Sequence, residues 1–270
     1  MTMAAGTDLA TIGLMDDGDI DLVEAGIALS LADRPRADPM KLRRLVQNWA
    51  ISLQRDLAPA TGAGRALRLA GLIAGEAGLT GDAADYDNPL NADLVAVAER
   101  GVGLPISLSI LYVALARRIG WRADVLGLPG HVLVEVHGGG APALIDPFDH
   151  GASVTPRRAG EIAAAAGGVA VAGRFPVLSN RQMLVRLLSN QASRARLGGQ
   201  AVRALSLYER MTAIAPGMSA LWWERAQLEQ RLGRLAAARA SLTAMMETTH
   251  DPALVQRIRA TLATLARSEN

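Results

Sequence analysis

The 270-residue sequence contains no cysteine. Disulfides, thiolate metal ligands and a thiol nucleophile are therefore excluded, and the composition suits the cytoplasm. Aromatic residues make up only 3% of the chain while alanine and leucine are plentiful, which argues for helices over a β-sandwich. Lys41 is the sole lysine, so arginine supplies nearly all the positive charge, and a net charge of +2 gives no general pull on nucleic acid or membranes. The longest apolar stretch, 104–116, is interrupted by Pro105, Ser107 and Ser109 and is too short to span a bilayer. Residues Met1 to Asp8 lack a basic segment followed by an apolar one, so no signal peptide is expected. Neither Gly127-Leu-Pro-Gly130 nor Gly138-Gly-Gly140 opens a helix in a phosphate-binding pattern, and no basic and aromatic residues interleave. No cofactor and no nucleic-acid partner are expected.

Half of the residues are apolar, enough for a sizeable core in one large domain or two small ones. Charge is uneven. Residues 181–270 hold 13 Arg against 6 Asp plus Glu (net +7), whereas residues 1–60 hold 5 Arg and 1 Lys against 9 acids (net −3). Two solvated faces of opposite sign account for this; a basic C-terminal surface that docks an acidic partner is the sharper alternative.

Helix signals dominate the first 100 residues. Asp21-Leu-Val-Glu24 reads as a capping box, and Asp38-Pro39 as a cap before a helix in which Leu42, Leu45, Val46, Trp49 and Leu53 share a face. Residues 64–77 predict another helix ended by Gly78, and Asn91 a cap for a helix reaching Arg100. A buried helix over 103–120 follows. The strand signals fall in the middle: Arg122–Leu126, His131–His137 and Ala143–Asp146, with Val132, Val134 and Val136 on one face. Gly138-Gly139 suits a two-residue type I′ turn, which sets His131 directly opposite Asp146; a longer loop through Ala141 would shift that register. Thr155-Pro156 starts a further helix that Gly167-Gly168 ends, and Pro176 marks a linker. Beyond Ser179 all is helical. Ala204-xxx-Tyr208 with Pro216 recurs as Ala240-xxx-Ala244 with Pro252, an offset of 36 close to the tetratricopeptide period. Of Trp222 and Trp223, one is expected in the repeat core and the other as an exposed anchor for a partner.

The motifs Asp85-Tyr86, Asn88-Pro89-Leu90-Asn91, Gly103-Leu-Pro105-Ile-Ser107-Leu, Gly120, Gly127-Leu-Pro129-Gly130-His131 and Ile145-Asp146-Pro147-Phe148 occur in this order. In these the chain resembles the bacterial SirB-type transglutaminase-like family over nearly its full length. The resemblance implies an α+β fold: a mainly helical protein with a papain/transglutaminase-like core and a small antiparallel sheet, followed by an all-α tetratricopeptide-like region. The expected divisions are 1–78 (helical section packed on the core), 79–176 (transglutaminase-like core) and 177–270 (helical repeats). It also implies that the superfamily's cysteine, which sits at a helix start facing a histidine and an aspartate, is usually missing from this family.

Counting back from Gly120 puts the nucleophile slot at Pro105 or Ile106, neither of which can attack a carbonyl. Ser107 is the nearest hydroxyl, but two residues rotate it about 200° around the helix. His131 and Asp146 form either a structural tie, a ligand site or a catalytic pair. Tyr86, Asn88, Asn91, Pro105 and Gly130 are the expected cleft lining. His131, His137 and Asp146, with Glu135 nearby, are the conceivable metal set; six residues of extended strand separate the two histidines by about 20 Å, so no metal is expected. The leading expectation is a cytoplasmic pseudoenzyme that binds a protein or peptide. An amide hydrolase or transferase using His131 and Asp146 with a non-cysteine nucleophile is the alternative, and a scaffold with a filled cleft is the third.

Overall fold

The computed structural model describes residues 8–55, 59–167 and 175–268. In chain order the elements are α1 (Leu9–Leu14), α2 (Leu22–Asp33), α3 (Met40–Arg55), α4 (Gly62–Ala70), β1 (Thr80–Gly81), α5 (Leu94–Arg100), β2 (Val102–Gly103), α6 (Pro105–Arg118), β3 (Ala123–Leu128), β4 (His131–Val136), β5 (Ala143–Asp146), β6 (Ala152–Val154), α7 (Pro156–Ala165), α8 (Asn180–Leu197), α9 (Ala201–Ile214), α10 (Ser219–Arg231), α11 (Leu235–Thr248) and α12 (Pro252–Ser268). The fold is α+β and mainly helical. Two compact units form: one from Asp16 to Met183, the other from Leu184 onward together with Asp8–Met15. Among the described residues no helix is long and apolar enough to cross a membrane.

The first unit is built around α6. From Pro105 to Val113 every residue of this helix is buried, as are Leu115 and Ala116. A helix apolar on all sides must be covered on all sides. The sheet strands β3 and β4 pack on it, and so do α2 and α3. Helix α3 supplies Leu42, Val46, Trp49 and Leu53, spaced four, three and four apart, all buried. Asp21 caps α2 by accepting from the Val23 and Glu24 amides at 2.9 and 3.1 Å. The Glu24 carboxylate is held by Arg43 at 2.9 and 2.7 Å instead of reaching back to close a capping box. The cap of α5 is Asp93, which accepts from Ala96 N at 2.9 Å, and not Asn91.

Strands β3 to β6 form one antiparallel sheet in sequence order. One face, with Val132, Val134 and Val136 fully buried, is the face that meets α6; on the other, Leu126, Leu128 and Leu133 pack with Ala159 and Ala163 of α7. The two-residue hairpin turn is Pro129-Gly130, since Leu128 pairs with His131 and Gly130 has φ +70°. That is the type II pattern of Pro followed by a left-handed Gly. Gly138 and Gly139 do not make the β4–β5 turn. The connection runs from His137 to Pro142, with a positive φ at Gly140, and pairs Val134 with Ile145. Close approach explains the two glycines: a Cβ on Gly138 would meet the backbone at Thr61 and Gly62, and Gly139 N donates to Ala60 O at 2.6 Å. The segment read as a linker at Pro176 is a cover for the sheet edge. Gly127 N donates to Pro176 O and Leu178 N to Val125 O, each at 2.8 Å. The expected Gly167-Gly168 helix exit shows Gly167 at φ +75°, while Gly168 lies outside the described residues.

In the second unit α9, α10 and α11 pack in succession, and α12 follows on α11. Burial fixes the repeat register at 34 residues, since Ala204, Tyr208 and Met211 are matched by Ala238, Leu242 and Met245. The left-handed glycines Gly199 and Gly233 keep the same spacing. The offset of 36 drawn from Ala240 and Ala244 is superseded, because Ala240 is exposed; only the prolines keep that spacing. Trp222 and Trp223 both pack partly buried against the core of Leu242, Met245 and Ile258, so neither is an exposed anchor. Trp222 Nε1 donates to Pro216 O at 2.8 Å. Helix α1 packs on α9, and Gly13 permits this because a Cβ there would run into Ala213 O. Glu229 is buried at 1% exposure between Arg225 Nε (2.9 Å) and Ser241 Oγ (2.7 Å).

Glu229→Ala removes the acceptor for both donors while Ser241 stays buried. The expected outcome in urea unfolding is a loss of about 2 kcal/mol, and Glu229→Gln should lose less because it keeps an acceptor.

Candidate functional site

The site grows from two hairpin ends. Its register differs from the sequence expectation by two: continuing the ladder from Val134–Ile145 sets Asp146 opposite Leu133, not opposite His131. Because side chains alternate along a strand, a shift of two leaves Asp146 on the same face as His131, at the diagonal position. There His131 Nε2 and Asp146 Oδ2 lie 2.8 Å apart. The second carboxylate oxygen, Oδ1, accepts from Phe148 N at 2.9 Å. Both side chains are mostly buried. The contact fixes the orientation of the imidazole against the carboxylate.

At the start of α6 the side chains are inert or engaged. Leu104 occupies the cap position without a capping side chain, Pro105 is the first helical residue, and Ile106 is buried. Ser107 is fully buried, and its Oγ–H points between Asn91 O (2.7 Å) and Leu104 O (2.9 Å). Ser109 is fully buried and donates to Pro105 O at 2.7 Å. Each hydroxyl proton is committed to a backbone carbonyl rather than to His131.

The loop between β1 and α5 shapes the mouth. Asp82 accepts from Asp85 N (2.9 Å) and pairs with Arg100 (3.1 Å). Asn91, expected in the cleft wall, is fully buried: it donates to Asp85 O (2.8 Å) and accepts from Arg100 (2.7 Å). Its main-chain carbonyl is the one that holds Ser107. Asn88 caps the turn at Pro89 by accepting from Leu90 N (3.0 Å) and donates to Asp85 Oδ2 (2.9 Å). This knot presents Tyr86, 39% exposed, with its ring edge-on to Phe148 at 5.7 Å; Phe148 in turn stands edge-on to His131 at 6.4 Å. Gly130 is exposed and Pro105 buried.

Two residues here were not singled out in the sequence. Phe148 is one, although it follows Asp146 by two in the Ile145-Asp146-Pro147-Phe148 motif. The other is Tyr112, two helical turns beyond Pro105 on α6. It is fully buried, its hydroxyl makes no hydrogen bond, and burial followed by the charge of Asp146 drives its pKa far above the ordinary tyrosine value. Gly151, at φ +72°, is required beside it, because a Cβ would lie 2.9 Å from the Tyr112 hydroxyl. His137 stands at the far end of β4 from His131, so the structure does not bring the two histidines together. His150 is a loop residue with φ 51°.

A family model described as transglutaminase-like superfamily matches residues 40–189, which include α6 and the hairpin bearing His131 and Asp146. The chain belongs to the transglutaminase-like superfamily. A tetratricopeptide repeat model matches residues 194–263. Two UPF0162 proteins of Xylella fastidiosa are similar along most of the chain. The one from strain 9a5c is 25% identical over 261 residues, covering 91% of each chain, and the one from strain Temecula1 is 25% identical over 264 residues. F-box only protein 21 of Homo sapiens is 37% identical over 70 residues, 26% of this chain and 11% of its own length. No solved structure matches.

In this transglutaminase-like core the geometry offers an oriented imidazole, an aromatic rim and a helix start without a nucleophile. The Asp82 knot that holds the rim gives a pH signature. The Asp85 amide, followed by Asn91 and Arg100, holds the Asp82 carboxyl below its usual value of 3.8, against the opposing effect of burial. A depressed native pKa contributes stability above the unfolded value that is lost as pH falls through the native one. Thermal melts should therefore show an acid-side decline below about pH 4, and Asp82→Asn should be less stable at pH 7 with a shallower decline in that window.

Proposed function

We propose that this protein is a bacterial, cytoplasmic pseudoenzyme: its transglutaminase-like core does not make or break amide bonds, and it works by binding a protein or peptide. One observation carries this reading. At the start of α6, where a superfamily enzyme needs a nucleophile, stand Pro105 and Ile106, and the nearby hydroxyls of Ser107 and Ser109 are fully buried and bonded to main-chain carbonyls. An alkoxide there would have to form without water, against two carbonyl dipoles, with no base in reach of the proton.

Tetratricopeptide repeats generally mediate protein–protein interaction, and the repeat unit presents apolar side chains for it. Leu197 and Val202, at 90% and 62% exposure, flank the α8–α9 turn beside a groove that includes Ala201, Arg203 and Leu232. The surplus of arginine over residues 181–270 supports an acidic partner. The rival reading, an amide hydrolase or transferase, draws on the His131–Asp146 contact at 2.8 Å.

A fluorophosphonate probe separates the two. The expected result is no labelling of the wild-type chain; labelling that Ser107→Ala abolishes would establish the enzyme. A pull-down from a bacterial lysate should recover a partner that the Leu197→Asp, Val202→Asp double variant loses and His131→Ala retains. Loss with His131→Ala alone, in a chain of unchanged melting temperature, would move the binding site to the core.

A further inference from the structure

The far end of the β3–β4 hairpin, remote from His131, carries a second chemical cluster. Asp124 and Glu135 are direct cross-strand partners, so their side chains share a face. His137 follows Glu135 by two and lies on that face as well, just beyond the strand end. Two carboxylates directly opposite one another repel, and Arg117 and Arg122 offset this on the Asp124 side of the pair.

The histidine ring stands between them in an unusual way. Its Nε2 is buried, 3.1 Å from Glu135 Oε2 and 3.3 Å from Asp124 Oδ2, yet it makes a hydrogen bond to neither. The nitrogen is close to both oxygens and aimed at neither. Two donors each about 2.1 Å from one cation, at angles of about 90–110°, stand about 3.0–3.4 Å apart. The two separations fall in that range, and all three donor atoms lie within 4.8 Å of one another.

We propose that Asp124, Glu135 and His137 bind a divalent first-row transition-metal cation such as Zn²⁺. One imidazole and two carboxylates suit such an ion better than Ca²⁺ or Mg²⁺, which prefer all-oxygen shells. The surroundings accommodate it. Arg117 Nη2 contacts the other oxygen of Asp124, Oδ1, at 3.1 Å, and so orients the carboxylate without occupying the donor atom. Arg122 Nε does lie 3.3 Å from Oδ2, but its side chain is 74% exposed and can swing into solvent when a cation takes its place. Partial exposure of all three ligands leaves room for water at the open coordination positions. The cation ties the ends of β3 and β4 beside the connection 137–142, where Arg65 Nη1 already holds His137 O at 2.8 Å. Its role is to staple this end of the sheet, independent of the pair at His131.

The test uses the full chain without an affinity tag, stripped with EDTA. Titration with Co²⁺ followed by its visible absorption, and equilibrium dialysis with Zn²⁺, should give one equivalent per chain, and the melting temperature should rise with Zn²⁺. His137→Asn and Glu135→Gln should each weaken binding roughly tenfold or more, while His131→Ala keeps full affinity. No stoichiometric uptake at millimolar Zn²⁺ would overturn the proposal; so would uptake that His137→Asn leaves unchanged. Should a variant fail to fold, the wild-type chain decides: in NMR spectra, Mn²⁺ must broaden the ring signals of His137 and spare those of His131 and His150.

Discussion

The burial of α6 from Pro105 to Val113, and again at Leu115 and Ala116, is the constraint from which the rest of the first unit follows. A stretch with Ile106, Leu108, Ile110, Leu111, Val113 and Leu115 around its circumference must be covered on nearly every side. Strands β3 and β4 and helices α2 and α3 cover it, and each is apolar where it does so. Burial also disciplines the few polar atoms on the helix. The hydroxyls of Ser107 and Ser109 must find partners inside, and only main-chain carbonyls are in reach. The same burial that makes α6 the centre of the core therefore takes away the reactivity of its serines. Tyr112 is the exception that shows the cost: its hydroxyl lies beneath the Asp146 loop without a hydrogen bond, and the loop accommodates it with a left-handed glycine.

The sheet divides its labour by face. Val132, Val134 and Val136 are spent on the core, so chemistry is confined to the alternate positions His131, Leu133 and Glu135. Leu133 joins the packing with α7, which leaves one polar group at each end of β4. At one end His131 meets Asp146 and the aromatic edges of Phe148 and Tyr86. At the other Glu135 meets Asp124 and His137. Two separate polar centres on one short strand are thus a consequence of period two and of a single buried leucine between them.

The second unit obeys a simpler logic. Helices repeat at 34 residues because each pair buries its small and aliphatic residues against the next, and Gly199 and Gly233 turn the chain in the left-handed conformation where the helices meet. Its one deeply buried charge among the described residues, Glu229, is satisfied by Arg225 and Ser241 from within the unit.

Local chemistry was legible in the residues themselves. The helix caps at Asp21, Asp38 and Thr155, the buried helix at Pro105, the three central strands and the superfamily motifs all depend on neighbours a few positions away, and a sequence records those directly. The tertiary structure alone decided what depends on distant segments. The β4–β5 register is set by Ala60 and Thr61 passing against Gly138 and Gly139, not by the glycines as turn formers. Asn91 is drawn inward by Arg100 and Asp85. Helix α1 joins α9 across the length of the chain. Asp124 reaches His137 only because two strands pair. In each case the deciding partner lies outside the element's own pattern, six residues away at the nearest for Asn91 and far along the chain for α1, and the energy of the contact appears only when packing brings the two together.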